Sequence, residues 1–110
     1  MLPTLADIRQ ARARLAGIAL RTPLVRLNVR ESPAEIWLKL ENLQPIGSFK
    51  IRGAANAMAN IPSQQLSRGV LTASAGNMAQ GVAWCARERG IACTVVAPDT
   101  APNAKLAAIE

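Results

Sequence analysis

Residues 69–96, GVLTASAGNMAQGVAWCARERGIACTVV, contain two short apolar runs separated by a segment with helical spacing. The first run, 69–73, and the second, 91–96, have the length and apolar composition of buried strands. Between them, residues 78–89 form a predicted helix, and Gly90 follows as its C-terminal stop. A strand, a helix and a second strand in this order indicate a βαβ unit with parallel strands.

Another helix is predicted upstream of this unit, after a turn at Pro45 and Gly47. It begins near Lys50 and stops before Pro62, and a further helix is predicted from Asn103. Apolar residues recur at i, i+3, i+4 and i+7 in the upstream helix, so they lie on one face. The residues predicted to be buried on that face are Ile51, Ala54, Ala55 and Met58.

The N-terminal third combines a helix with two short strands. The helix should run to about Leu15, and residues 24–27 and 36–40 have strand character. Residues 41–47 are interpreted as a loop, and residues 63–68 as a polar connection. We expect a surface helix whose inward side consists of Leu5, Ile8, Ala11 and Leu15.

Composition argues against several kinds of partner. Half of the 110 residues are hydrophobic and the formal net charge is +6, which is typical of a packed domain with a mildly basic surface. The 13 basic residues are scattered and do not alternate with aromatic residues, so nucleic acid is not an expected partner. No apolar run approaches the ~20 residues that span a bilayer, so a membrane is not expected either.

The chain offers few residues for metal or nucleophilic chemistry. It has no histidine, and Cys85 and Cys93 are too far apart for a Cys-x-x-Cys pair. The usual zinc sites and any Ser-His or Cys-His catalytic pair are therefore excluded within this sequence, and no metal is predicted. We interpret both cysteines as small core residues in a reducing compartment, and we predict a cytoplasmic location.

The loop after the first strand of the βαβ unit is a candidate ligand site. Ligands of α/β sheets bind where strands end and helices begin, and residues 74–81 occupy that position. Small residues let a ligand approach the backbone, while N–H groups of the first helical turn favour an anion. Ser74 and Asn77 can add hydrogen bonds, although a plain helix cap is the commoner role for such residues. Gly76 and Gly81 have Walker A spacing, but the required Lys-Ser or Lys-Thr pair is missing.

Lys50 stands in an unfavourable position for a lysine, because a cation in the first helical turn opposes the helix dipole. Phe49 and Ile51 flank it, and Arg52 adds positive charge nearby. Desolvation and this neighbouring charge would favour a neutral amine. A neutral amine is what Schiff-base chemistry requires, whereas most lysines are only solvated surface charges.

Taken together, five stretches resemble the signatures of the threonine/serine dehydratases and serine racemase, which are fold type II pyridoxal-phosphate enzymes. The resemblance covers nearly the whole chain and implies an α/β, tryptophan synthase β-like fold with three layers and parallel strands. The stretches, in family order, are RTPL (21–24), LKLENLQ (38–44), QPIGSFKIRGA (44–54), SAGNMAQGVA (74–83) and APNAK (101–105).

The resemblance also implies roles for individual residues. Lys50 matches the lysine that forms a Schiff base with pyridoxal 5'-phosphate and moves protons at the substrate Cα. Phe49 matches the residue that packs against the cofactor ring, and Asn77 matches the asparagine that hydrogen-bonds the phenolic oxygen. The residues that match the loop holding the substrate carboxylate are Ser74, Ala75, Gly76, Asn77 and Met78.

The implied reaction is β-elimination from a β-hydroxy amino acid such as threonine or serine, which gives a 2-oxo acid and ammonia. Ile51 follows the lysine where cysteine synthases usually carry aspartate, which favours a dehydratase. Ala75 stands where serine racemase usually has the serine of its second proton transfer, and Met78 replaces the usual histidine. A β-replacement enzyme, a racemase and a non-catalytic relative are the alternatives.

The predicted fold is incomplete. The chain ends at Glu110 inside a predicted helix, and relatives carry their glycine-rich phosphate loop further downstream. We therefore expect a fragment that is inactive alone. By family analogy, residues 1–47 belong to the large domain, residues 48–110 form the first part of the small domain, and the full-length protein is a homodimer.

Overall fold

A computed structural model describes residues 2–109 and contains five helices and four strands in that range. The order is α1 (Leu5–Arg14), β1 (Leu24–Arg26), β2 (Trp37–Lys39), α2 (Lys50–Ala59), α3 (Ser63–Leu66), β3 (Val70–Ala73), α4 (Asn77–Glu88), β4 (Cys93–Val96) and α5 (Asn103–Ala107).

The predicted βαβ unit is confirmed. Strands β3 and β4 pair in parallel, with Val70 opposite Cys93 and Ala73 opposite Val96, and α4 is the crossover between them. Gly69 enters β3 at φ +95°, and a Cβ there would lie 2.9 Å from the carbonyl oxygen of Ala92. Only glycine fits this close approach, so the residue fixes where the first strand begins.

The core lies between α2 and α4, and the predicted buried face of α2 is confirmed. Ile51 and Ala55 have no exposed surface, while Ala54 and Met58 are at most 4% exposed. They pack against the buried face of α4, which includes Val82, Cys85 and Ala86. This packing holds α2 against the βαβ unit.

The described residues cover only one face of the two-stranded parallel sheet. Burial alternates along both strands, as expected for a sheet with one packed face. Val70 and Cys93 pack against the core, whereas Leu71 and Val96 are 71% and 54% exposed on the other face. Residues 2–109 therefore supply one helical layer of the three-layer fold.

The N-terminal region differs from its prediction. The α1 helix begins with a capping box between Thr4 and Asp7 and has no buried residue. Leu5 and Ile8 are 62% and 58% exposed, so the prediction that they face inward is wrong. The reason is that only the end of α1 reaches the core, where Leu15 packs against it as predicted and the Arg14 Nε atom donates to Asn56 Oδ1 at 2.8 Å beside it.

The predicted strands near residues 24–27 and 36–40 form an antiparallel hairpin, in which Leu24 pairs with Lys39. Two short elements were not predicted. The loop 41–47 begins with a 3₁₀ turn, and the polar connection 63–68 contains α3. Both are too short to show a helical period, so the sequence pattern carried no signal for them. Among the described residues, no helix has the length and apolarity needed to cross a membrane.

Candidate active site

Lys50 is the first residue of α2, as predicted. The preceding loop turns at Gly47, which has φ +65° and donates its N–H to the carbonyl of Gln44 at 2.7 Å. The buried side chain of Ser48 then accepts a hydrogen bond from the Lys50 N–H group at 3.1 Å. The turn and this hydrogen bond fix the backbone direction at the lysine.

The Lys50 side chain is exposed, and its Nζ atom lies 5.2 Å from the centre of the Phe49 ring. Phe49 itself is 58% exposed, so the ring shields only one side of the amine. The predicted desolvation of Lys50 is therefore wrong for this structure, because Ile51 points into the core rather than over the amine. The positive charge of Arg52 is also neutralised, by an ion pair with Glu41.

The loop between β3 and α4 is built by backbone geometry and one hydroxyl. Gly76 is the N-cap of α4 with an extended backbone, and no side chain caps this helix end. The Ser74 hydroxyl accepts a hydrogen bond from the Gly76 N–H group at 3.2 Å. Asn77 is the first helical residue and is exposed, so the alternative of a plain asparagine cap is wrong. The first-turn N–H groups of α4 therefore lack a side-chain acceptor among the described residues.

The remaining residues of this loop play different parts. Ala75 is half-buried and carries no polar atom that could bind or move a proton. The Met78 side chain packs against the hydrophobic core. Its contribution at the loop surface is therefore limited to its backbone N–H group.

The helices α2 and α4 approach each other closely at Gly81. A Cβ at this position would lie 3.4 Å from Ala54 Cβ, from Ile46 Cδ1 and from the carbonyl carbon of Lys50. Gly81 is one helical turn after Asn77, a rise of ~6 Å. The first turn of α2 thus packs against α4 at Gly81, one helical turn from Asn77.

A part-buried polar network, which the sequence pattern did not predict, supports the base of the Lys50 loop. Glu41 accepts hydrogen bonds from Arg52 Nε and Nη2 at 2.8 Å each, from Thr22 Oγ1 at 2.6 Å and from Gln44 Nε2 at 3.1 Å. Thr22 and Gln44 are only 4% and 3% exposed. The guanidinium of Arg52 is the main cause that lowers the pKa of Glu41 to about 2, and Glu41 in turn raises the pKa of Arg52. Three-dimensional pairing, rather than spacing along the chain, brings these residues together.

The cysteines do not add to the site. Both are free thiols; Cys85 is buried and Cys93 is half-buried against the core, as their interpretation as core residues predicts. Burial raises the pKa of both thiols, which disfavours the reactive thiolate. Within residues 2–109, no group of three or more acidic or thiol side chains is arranged to hold a metal ion.

Comparison with known proteins defines the class. The profile of the pyridoxal-phosphate dependent enzyme family matches residues 15–110, and the chain belongs to this family. Its cofactor is pyridoxal phosphate, as the family description states.

Individual proteins of known activity are similar to the chain over most of its length. The catabolic L-threonine dehydratase TdcB of Staphylococcus aureus (strain USA300) is 45% identical over 105 residues, which cover 93% of this chain and 30% of the relative. Maize serine racemase superposes with a TM-score of 0.92 at 36% identity, covering 99% of this chain and 34% of that structure. The processed form of threonine deaminase isoform 2 from Solanum lycopersicum gives a TM-score of 0.75 at 32% identity, covering 97% of this chain and 31% of that structure. The chain thus spans about a third of the length of these proteins and has the fold type II architecture of the family.

The residues present fit the family cofactor. Lys50 offers a primary amine that enters no ion pair within residues 2–109, which suits an aldehyde. Space in front of the loop is open, since a Cβ on Gly76 would meet only the Ser74 hydroxyl, at 4.0 Å. An amine, an aromatic ring at Phe49 and an exposed amide at Asn77 suit the aldehyde, the ring and the phenolic oxygen of the cofactor.

Proposed function

We propose that the protein to which these residues belong is a pyridoxal-phosphate-dependent dehydratase. It removes the β-hydroxyl group of a small amino acid such as threonine or serine and yields a 2-oxo acid and ammonia. The observation that supports the proposal is the close approach of α2 to α4 at Gly81, where a Cβ would lie 3.4 Å from the carbonyl carbon of Lys50 and one helical turn from Asn77. The relatives described as L-threonine dehydratase and threonine deaminase support the choice of reaction.

Three residues hold the cofactor in this proposal. The Lys50 amine would bind its aldehyde carbon, Phe49 would lie against its ring, and the Asn77 amide would donate to its phenolic oxygen. The cofactor supplies an electron sink that stabilises negative charge at the substrate Cα. All three residues lie at the first turn of α2 or α4, so the packing of these helices fixes their spacing.

The chain's own residues then position the substrate and move its proton. Within the loop of residues 74–78, the N–H groups of Asn77 and Met78 at the uncapped start of α4 would bind the substrate carboxylate, since the Ser74 and Gly76 N–H groups already have acceptors. The Lys50 amine would be the group that accepts the proton from the substrate Cα. The exposed amine in the structure can reach a ligand without movement of the backbone.

Serine racemases are also close structural relatives, at a TM-score of 0.92 for the maize protein. Racemisation needs a second proton-transfer group on the opposite side of the substrate Cα. Ala75 has no such group, and Met78 is turned into the core. These two residues favour elimination over racemisation.

Three further proposals concern the location of the protein, its partners and its oligomeric state. Both described cysteines are free, which supports a cytoplasmic location. The substrate is a free amino acid, and neither nucleic acid nor a membrane is needed for the chemistry. The full-length protein is a homodimer by analogy with its family.

The test is to locate the lysine that binds the cofactor. The chain is mixed with pyridoxal phosphate, reduced with borohydride and analysed by peptide mass spectrometry. We expect the adduct on Lys50, with little on Lys39 and Lys105, and loss of that adduct in Lys50→Ala. Equal labelling of the three lysines in the wild type would contradict the proposed site.

The substrate class is tested in the same reaction. L-threonine and L-serine added before reduction should lower labelling of Lys50, because the amino acid competes for the cofactor at the site. D-threonine is the matched control for simple amine competition in solution. Equal protection by both enantiomers would count against a site that binds the substrate carboxylate and amine together.

A further inference from the structure

We propose that Glu41 and Arg52 are positioning residues that set the place of the Lys50 amine. This inference rests on the proposed function for its chemistry, but it concerns contacts within the chain itself. Glu41 opens the 3₁₀ turn and Arg52 lies in the first turn of α2, two residues after Lys50. Their ion pair therefore closes the base of the loop 42–51, which presents Phe49 and Lys50.

The pair has the geometry of a rigid clamp. Two guanidinium nitrogens, Nε and Nη2, approach different carboxylate oxygens of Glu41 at 2.8 Å each. Such a bidentate contact fixes the direction of both side chains as well as their distance. The side chains are only 17% exposed for Glu41 and 34% for Arg52, so water competes weakly for the contact.

The clamp is also anchored outside the loop. Gln44 donates to the carbonyl of Leu20 and accepts from its N–H group, both at 2.9 Å, and Arg52 Nη2 donates to the same carbonyl at 2.8 Å. Thr22 adds a hydroxyl donor to Glu41. The start of α2 is therefore held on one side by residues 20–22 and on the other by its packing against Gly81.

An ion pair that served only stability would not need this location. The exposed pair of Arg26 and Glu35, at 3.0 Å with both side chains more than 60% exposed, offers the contrast within the same chain. Catalytic geometry is sensitive to displacements of about 1 Å, which can cost ~100-fold in rate. A clamp spanning the loop of the reactive lysine is the arrangement that suppresses such displacements.

The test compares Glu41→Gln and Arg52→Gln with the wild-type chain, using the share of borohydride-trapped cofactor on Lys50 relative to Lys39 and Lys105. We expect the Lys50 share to fall about tenfold in both variants, within the range for misplaced reactive groups. Arg52→Lys keeps the charge but loses the bidentate contact. Its Lys50 share should therefore lie between that of the two glutamine variants and that of the wild type. Glu35→Gln is the matched control, because it removes the same charge from the exposed pair and should leave the share unchanged.

A stability control separates positioning from folding. Val82→Ala weakens the core on α4 without touching the clamp, and all variants are compared below their melting transitions. The proposal predicts that Val82→Ala keeps the wild-type share of Lys50 labelling. It is overturned if Val82→Ala lowers that share as much as Glu41→Gln does, or if Glu41→Gln stays within twofold of the wild type.

A second readout needs no cofactor. Amide hydrogen exchange of Phe49, Lys50 and Arg52 should be at least tenfold faster in Glu41→Gln than in Val82→Ala, relative to exchange in α4. If borohydride traps the cofactor on Lys50 no more than on Lys39 and Lys105 in the wild-type chain, the proposed function fails. The exchange measurement still decides the positioning role in that case, because it does not depend on the cofactor. Equal exchange in the two variants would overturn the clamp.

Discussion

At the scale of single residues, Gly81 and Glu41 determine where Lys50 lies. Gly81 lets the backbone of α2 approach α4, and Glu41 ties the first turn of α2 to residues 20–22. Neither residue carries the chemistry, but each contacts the first turn of α2, in which Lys50 lies. The identity of Lys50 as the candidate reactive residue was predictable from its position and from the motif around it.

Substitutions at Gly81 should separate two effects on stability, the helix propensity of the residue and the close packing of α2 against α4. A Cβ meets its neighbours at 3.4 Å, which is ordinary contact, so Gly81→Ala should be tolerated and can gain up to ~1 kcal/mol from reduced backbone entropy. Gly81→Val adds two methyl groups that do not fit, and should lower the free energy of unfolding by about 1–3 kcal/mol. Urea denaturation of the two variants checks this order, and equal stability would show that the helices are not in close contact.

The pH dependence of stability should report Glu41. The pKa of Glu41 is about 2 in the folded chain, whereas the ordinary pKa of a glutamate is 4.5. Between pH 2 and pH 4.5 the folded state therefore binds fewer protons than the unfolded state. The stabilisation is complete above about pH 4.5 and is lost as pH falls toward 2. Glu41→Gln should lower the free energy of unfolding at pH 7 by about 1–3 kcal/mol and flatten its slope between pH 4.5 and 2. An unchanged slope relative to the wild type would contradict the clamp geometry.

At the scale of elements, the sequence pattern predicted what depends on periodicity and missed what depends on contacts. The buried face of α2 and the parallel pairing of β3 with β4 were predictable, since apolar spacing and strand–helix–strand order determine both. The inward face of α1 was predicted only in part: Leu15 packs against the core, whereas Leu5 and Ile8 have helical spacing but are exposed. Apolar spacing alone does not show whether a partner is present.

A matched pair of truncations tests this difference between α1 and α2. Met58→Ala removes a side chain that is 4% exposed and should lower the free energy of unfolding by about 2–5 kcal/mol. Ile8→Ala removes one that is 58% exposed and should change it by less than ~0.5 kcal/mol. Chemical denaturation measures both values. A large cost at Ile8 would mean that α1 packs against a surface that is not seen in the described residues.

At the scale of the whole molecule, the chain is more open than a compact domain of its length. Its radius of gyration is 16.5 Å, against about 13 Å expected for a compact chain of this size. The uncovered face of the β3–β4 sheet and the exposed hairpin account for much of this openness. The sequence predicted an incomplete fold, and the chain spans about a third of its relatives, which agrees with that openness.

The two faces of the sheet should respond differently to substitution. Leu71→Thr lies on the uncovered face, where 71% of the residue is already exposed, and should change the free energy of unfolding by less than ~0.5 kcal/mol. Val70→Thr lies on the face that packs against the core and should cost about 1–3 kcal/mol, because a hydroxyl enters an apolar contact. Denaturation curves in urea compare them, and a larger cost for Leu71→Thr would reverse the assignment of the two faces.

The central claim is that the starts of α2 and α4 form one cofactor site. The most direct measurement is a titration of the ¹⁵N-labelled chain with pyridoxal phosphate, followed by NMR, with Lys50→Ala as the control. We predict that amide signals of residues 49–52 and 74–78 shift together at one saturating concentration, and that both sets of shifts disappear in Lys50→Ala. Shifts in the wild type confined to the three lysines, with those of Lys39 and Lys105 unchanged in Lys50→Ala, would contradict a common site.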